Sequence, residues 1–171
     1  MNRRLMINVS VMSVLGMAAL TGTAFGQQNS LKEQLLGPWN LVSVDYVRAD
    51  GSRSTTFGDN PNGIAFFDST GHYIITAMRS DRAQYAVNDR MQGTADENKA
   101  TAQGTITYFG TYTVSEPDRT IRIHVVGSSF PNWNGANQKR IFAISGDELR
   151  LTNPVASTGG GTTEVVWKRA K

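Results

Sequence analysis

Thr105-Ile-Thr-Tyr-Phe-Gly-Thr-Tyr-Thr-Val-Ser115 is the stretch on which the fold turns. Its even positions are Ile106, Tyr108, Gly110, Tyr112 and Val114, while its odd positions are mostly threonine. Alternation with a period of two marks a strand buried on one face, so the even side looks into a core. The same parity can be followed elsewhere. In 138–145 the inward set is Arg140, Phe142 and Ile144, and in 163–169 it is Val165, Trp167 and Arg169. Nearer the N-terminus, Trp39, Leu41, Ser43 and Asp45 share a face, which places Asp45 inside as the natural partner of Arg140.

Working outward, strands are expected near 39–48, 63–68, 72–79, 105–115, 120–128, 138–145, 148–153 and 163–169. Asp68-Ser-Thr-Gly71, Glu116-Pro-Asp-Arg119 and Ser145-Gly-Asp147 read as hairpin turns between them. Ser30-Leu-Lys-Glu33 and Thr94-Ala-Asp-Glu97 are capping boxes, predicting short helices over 31–36 and 95–103. Eight sequential strands with few helices make an all-β chain, and closing the sheet removes its exposed edges. The expected fold is an eight-stranded antiparallel up-and-down barrel with two short helices.

Composition bounds the rest. The chain has 171 residues and 18.6 kDa, room for one domain. It has no cysteine, which excludes a disulfide framework, a thiolate metal site, a cysteine nucleophile and a lipoprotein anchor. The first 26 residues run from a basic MNRR through an apolar stretch to a small-residue exit at Ala24 and Gly26. That is the pattern of a secretory signal peptide, with an uncleaved anchor helix as the alternative. The expected division is a leader over 1–26 and a single barrel domain over 27–171, periplasmic or secreted. Without Arg3 and Arg4 the 17 basic residues fall to 15 against 14 acidic, a net charge of +1. So balanced a surface argues against nucleic acid as partner. No later segment has the run of about 18 apolar residues that a membrane-spanning helix needs.

Gly37-Pro38-Trp39, entering the first strand after a short helix, resembles the closed end of a lipocalin. There a basic residue from the last strand covers the tryptophan ring, a place that Arg169 fills here by cation–π stacking. Longer blocks extend the likeness: LLGPWNLVSVDYVRADGSR, FG-x-NPNG, IAFFDSTGHYIITAMRSDR, YFGTYTV and HVVGSSFPNWNGANQKR. Together they resemble the lipocalin-like domain family of bacteria and fungi, over roughly residues 34–169. The resemblance implies a small eight-stranded barrel, and says much less about function. Ser128-x-Phe130-Pro131-Asn132-Trp133 and Met78-Arg79-x-Asp81-Arg82 match segments that recur in that family, with no catalytic role attached.

A barrel of eight strands either fills its lumen or holds one small ligand, and inward polar groups favour the ligand. Tyr108, Tyr112 and Arg140 are the candidates for orienting a polar end, set in apolar walls suited to a small hydrophobic molecule. The links at 49–62, 79–104, 127–137 and 154–162 are long, whereas 69–71, 116–119 and 146–147 are tight. In a meander the long links all fall at one end, opposite Trp39, so 79–104 and 127–137 are expected to form the entrance. That adds Arg79, Phe130, Asn132 and Trp133 to the ligand-binding set. His124 joins it through the motif it opens, although its parity with Ile123 and Val125 points outward. In an alternative reading, the barrel is a cyclase, isomerase or hydrolase with His124 or a tyrosine as acid–base group. Ser128 and Ser129 lack the Gly-x-Ser-x-Gly elbow and an orienting carboxylate. Two histidines without cysteine do not make a three-histidine zinc site. No cofactor is expected.

Overall fold

The computed structural model describes residues 30–155 and 160–171, and the leader read over 1–26 lies outside them. Both capping boxes form. The Ser30 side chain accepts from the Glu33 N–H and the Glu33 carboxylate accepts from the Ser30 N–H, so α1 runs Leu31–Leu35. Thr94 and Glu97 do the same for α2, Ala95–Gln103. No helix of the described residues is long and apolar enough to cross a membrane.

The strands are β1 (Gly37–Val47), β2 (Arg53–Thr55), β3 (Asn62–Phe67), β4 (His72–Met78), β5 (Thr105–Ser115), β6 (Thr120–Ser128), β7 (Asn137–Ser145), β8 (Glu148–Asn153) and β9 (Thr162–Arg169). Every pairing is antiparallel, each strand from β3 onward pairs with the next, and β9 returns to β1 over Trp39–Arg169 to Val47–Thr162. The result is a closed eight-stranded barrel with one extra strand. That extra strand is β2. With β9 along one edge of β1, β3 takes the other edge over Gly37–Asn40 and β2 takes it over Asp45–Val47.

Parity holds through β5, β7 and β9 and slips in β1. The register of β1 against β9 shifts between Leu41 and Ser43. One extra residue at a bulge moves every later side chain to the opposite face. Val44 is therefore buried, and Asp45 leaves the lumen to meet Arg53, 3.9 Å away and itself 2.8 Å from Glu164. The expected Asp45–Arg140 pair is not made. A second bulge lies between β5 and β6 beside Gly110, where a Cβ would stand 1.9 Å from the His124 carbonyl oxygen. Only glycine fits so close a backbone approach.

The core fills the closed end. Leu35 of α1 and Trp39 are both fully buried, together with Phe67, Ile121, Val125, Leu149 and Trp167. Arg169 lies 4.1 Å over the Trp39 ring. The links at 48–61, 79–104, 129–136 and 154–161 all leave from the other end, because β1, β4, β6 and β8 run away from Trp39.

Candidate functional site: the open half of the lumen

Above this packed core the barrel keeps a cavity of about 70 Å³. Its aliphatic wall comes from the inward positions of five strands, among them Val44, Ile75, Ala77, Ile106, Leu151 and Val165. Four aromatic rings complete it: Tyr108 and Trp167 from strands, Phe57 and Trp133 from links. Trp133 is placed by a single 3₁₀ turn, Pro131–Trp133, with Pro131 at its start, where the missing N–H costs nothing. Asn134 anchors that turn by accepting from the Ser128 N–H at 2.8 Å. The rings form a continuous file from core to mouth. Phe67 and Tyr73 are 6.2 Å apart, Tyr73 and Tyr108 5.9 Å, Tyr108 and Trp133 5.1 Å, and Trp133 and Phe130 5.9 Å.

Among the described residues one charge faces this apolar space. Arg140 is 5 % exposed and lines the cavity beside Asn153, which is 8 % exposed. Its Nη1 donates to Asn153 Oδ1 at 3.0 Å and to the Lys139 carbonyl at 3.2 Å, and its Nη2 donates to Gln138 Oε1. The guanidinium also stands 6.0 Å from the Trp133 ring centre. Two donors buried in the same region have no hydrogen-bond partner, the Tyr73 hydroxyl and the Trp167 indole N–H. Burial pushes the Tyr73 hydroxyl far above the usual phenol range; Tyr108 adds to that and Arg140 opposes it. Tyr73 is thus a neutral phenol wherever the protein is folded near neutrality.

Of the residues singled out from sequence, Tyr108, Arg140 and Trp133 come together on this cavity. Phe130 packs edge-on against Trp133 and supports it from outside, while Asn132 is exposed on the same turn. Tyr112 is buried in the closed half: its hydroxyl donates to the Asp68 carbonyl at 2.6 Å and its ring meets Phe67 edge-on at 5.2 Å. Its polar end is already used, so it is a core residue. His124 stands exposed on the outer face, its Nδ1 3.0 Å from Asn137 Oδ1, as its parity opposite to the inward Ile123 and Val125 requires. Among the described residues no histidine lines the lumen, so the acid–base role considered for His124 has no place there.

Arg79 is likewise outside, held bidentately by Asp81 through Nε at 2.9 Å and Nη2 at 2.7 Å. The 79–104 link is tied to itself and to the start of β5. The Arg79 N–H donates to the Gly104 carbonyl, Arg82 Nη1 donates to Thr105 Oγ1, and the Tyr85 hydroxyl donates to Asn98 Oδ1. Having closed on itself, the link contributes no side chain to the cavity wall. Sequence reasoning overlooked Phe57, which lies in a link where periodicity has no hold, and Asn153. The latter was in reach, since Leu149, Leu151 and Asn153 share one parity. Among the described residues no three His, Asp or Glu side chains gather closely enough to hold a metal ion.

Comparison with known proteins agrees with this architecture. Residues 36–170 match the family model described as a lipocalin-like domain, a span that contains all nine strands. A relative from Aspergillus oryzae, the 4′-hydroxy-3′-methoxypropiophenone carrier protein, is 32% identical over 90 residues, covering 48% of this chain and 81% of the relative. With the closed barrel, the lumen and the matched span in agreement, the chain belongs to the lipocalin-like domain family.

Proposed function

We propose that this protein is an exported carrier that holds a small, largely apolar molecule in the open half of its barrel. The observation that carries the reading is the cavity itself: aromatic and aliphatic walls around a single buried guanidinium, at the end where the long links leave. Apolar walls with one or two placed polar groups are what small-ligand sites are made of. The family relative whose name makes it a carrier of a hydroxylated, methoxylated aromatic ketone supports the same reading. The signal-like first 26 residues support export.

Size sets a condition. An apolar cavity of about 150 Å³ accepts benzene, and this one is about half as large at about 70 Å³. A ligand with one aromatic ring therefore enters only as Trp133 and Phe57 turn aside. Both sit on links and not on strands, which lets them move without breaking the sheet.

The test is direct, because Trp133 and Trp167 both line the cavity. The mature protein, titrated with fatty acids, sterols, quinones and aromatic acids, should show changed tryptophan emission and a raised melting temperature with at least one class. If no class moves either signal, the lumen is a packed core and the carrier reading fails. Export is checked separately by the mass of protein recovered outside the cytoplasm. It should begin near Gln27, and a retained Met1 would contradict it.

A further inference from the structure

Resting on the carrier reading, we infer that the lumen selects a carboxylate: the ligand is a small aromatic acid whose head group sits on Arg140 and whose body lies among Tyr108, Trp133 and Trp167.

The inference starts from a charge without a counter-charge. A guanidinium cannot shed its proton in a protein, so burying it keeps a full positive charge in a low-dielectric interior. Three arginines at the surface have carboxylates, Arg79 with Asp81, Arg53 with Glu164 and Arg150 with Glu148, while Arg169 is held by backbone carbonyls at the closed end. Arg140 is the one charged side chain in the buried class among the described residues, and its three hydrogen-bond acceptors are all neutral. Among the described residues no Asp or Glu lines the cavity. Tyr73, whose hydroxyl feels the Arg140 charge, is held protonated by its burial and cannot supply the missing charge. The bulge in β1 had already turned Asp45 outward.

Donor arithmetic then fixes the kind of group that is missing. Arg140 has five N–H donors, of which two on Nη1 and one on Nη2 are used. Among the described residues nothing takes the Nε–H or the second Nη2–H. Nε and Nη2 form the edge that meets a carboxylate side-on, as Arg79 shows with Asp81 in this same chain. The Trp167 indole N–H, 1% exposed and on the same cavity, is a further donor without an acceptor. A site with surplus donors and a net positive charge is matched by an anion with several lone pairs. A neutral ketone or amide would leave the charge unbalanced.

The experiment uses cinnamate and cinnamamide, which share a body and differ in head group, titrated calorimetrically into the mature protein and its Arg140→Met variant. Met is close in length and apolar, and it removes the desolvation cost of a buried charge that has no counter-charge. An unchanged or higher melting temperature is therefore the expected sign of a folded variant. Wild type should bind cinnamate at least tenfold more tightly than cinnamamide. Arg140→Met should remove that preference and keep the amide's affinity within about threefold. Equal affinity of acid and amide for wild type, or a preference that survives in Arg140→Met, overturns the carboxylate assignment and leaves the carrier reading standing. So does a panel in which only neutral apolar ligands bind. If nothing in the panel binds, both readings fall together.

Discussion

Arg169 joins the last strand to the first helix and the first strand at one point. Its guanidinium stacks on Trp39 at 4.1 Å, while Nη1 and Nη2 donate to the Leu36 and Gln34 carbonyls at 3.1 and 2.6 Å. The Trp39 indole N–H takes the Leu35 carbonyl at 2.8 Å. Three carbonyls at the end of a five-residue helix, orphaned for want of another turn, are thereby satisfied. A cation–π contact of about 1 kcal/mol and two charge-assisted hydrogen bonds of about 1.5 kcal/mol each overlap in one side chain. Arg169→Ala should accordingly lower the urea-unfolding free energy by about 2–4 kcal/mol, and Arg169→Lys should recover only a minor part, lacking the planar fork. Arg79 is the contrast. Its bidentate bond to Asp81 is exposed to water, so Arg79→Ala should leave unfolding and ligand binding where they were, within the error of both measurements. The Arg169–Trp39 contact was legible because both residues occupy fixed places at strand ends. The partner of Arg140 was not, because it depended on a register that no residue announces.

Local signals made the helices readable and left β1 ambiguous. Each capping box closes within four residues, so α1 and α2 were visible before any packing was known. In β1 the run Leu41-Val42-Ser43-Val44 places two apolar residues side by side, and strict alternation there would put Ser43 inside. The bulge resolves the conflict by burying Val44 and leaving Val42 47% exposed. Apolar area decided the register, at the cost of one irregular pairing. The α2 cap carries a pH dependence whose sign follows from its bonds. The Ala86 N–H, then the Thr94 N–H and hydroxyl, hold the Glu97 carboxyl below its ordinary value of 4.5. A carboxyl depressed in the folded state contributes stability above its unfolded pKa and loses it as pH falls through the folded one. Below pH of about 4, the amides of Ala86 and Thr94 should lose their hydrogen-exchange protection while the barrel strands keep theirs. Glu97→Gln should show the weaker protection at every pH, and an unchanged profile in both proteins would mean that the link is held by other contacts.

Closure of the barrel explains why its two ends differ. Because connections alternate, the tight turns at 68–71, 116–119 and 145–147 share the Trp39 end with α1, and the four long links share the other. Side chains can be packed solid at the end that a helix plugs. At the opposite end the strands carry inward residues as small as Ala77, and the space they leave is filled only in part by Phe57 and Trp133. That asymmetry was legible from link lengths. Which links reach the lumen was not, since 79–104 spends its polar groups on itself and on β5. Ala77 offers the decisive perturbation. It lies on β4 opposite Ile106, 4% exposed, and both line the cavity. Ala77→Leu adds three carbons where there is already room. Burial of about 0.8 kcal/mol per added carbon is then set against an overpacking cost of about 1–3 kcal/mol. The two terms nearly cancel, so the melting temperature should stay close to that of wild type. Ligand affinity should fall at least tenfold, for acid and neutral ligands alike, because the volume itself is gone. This separates it from Arg140→Met, which removes a preference and keeps the space. If Ala77→Leu folds and binds as wild type does, the ligand is held somewhere other than the lumen.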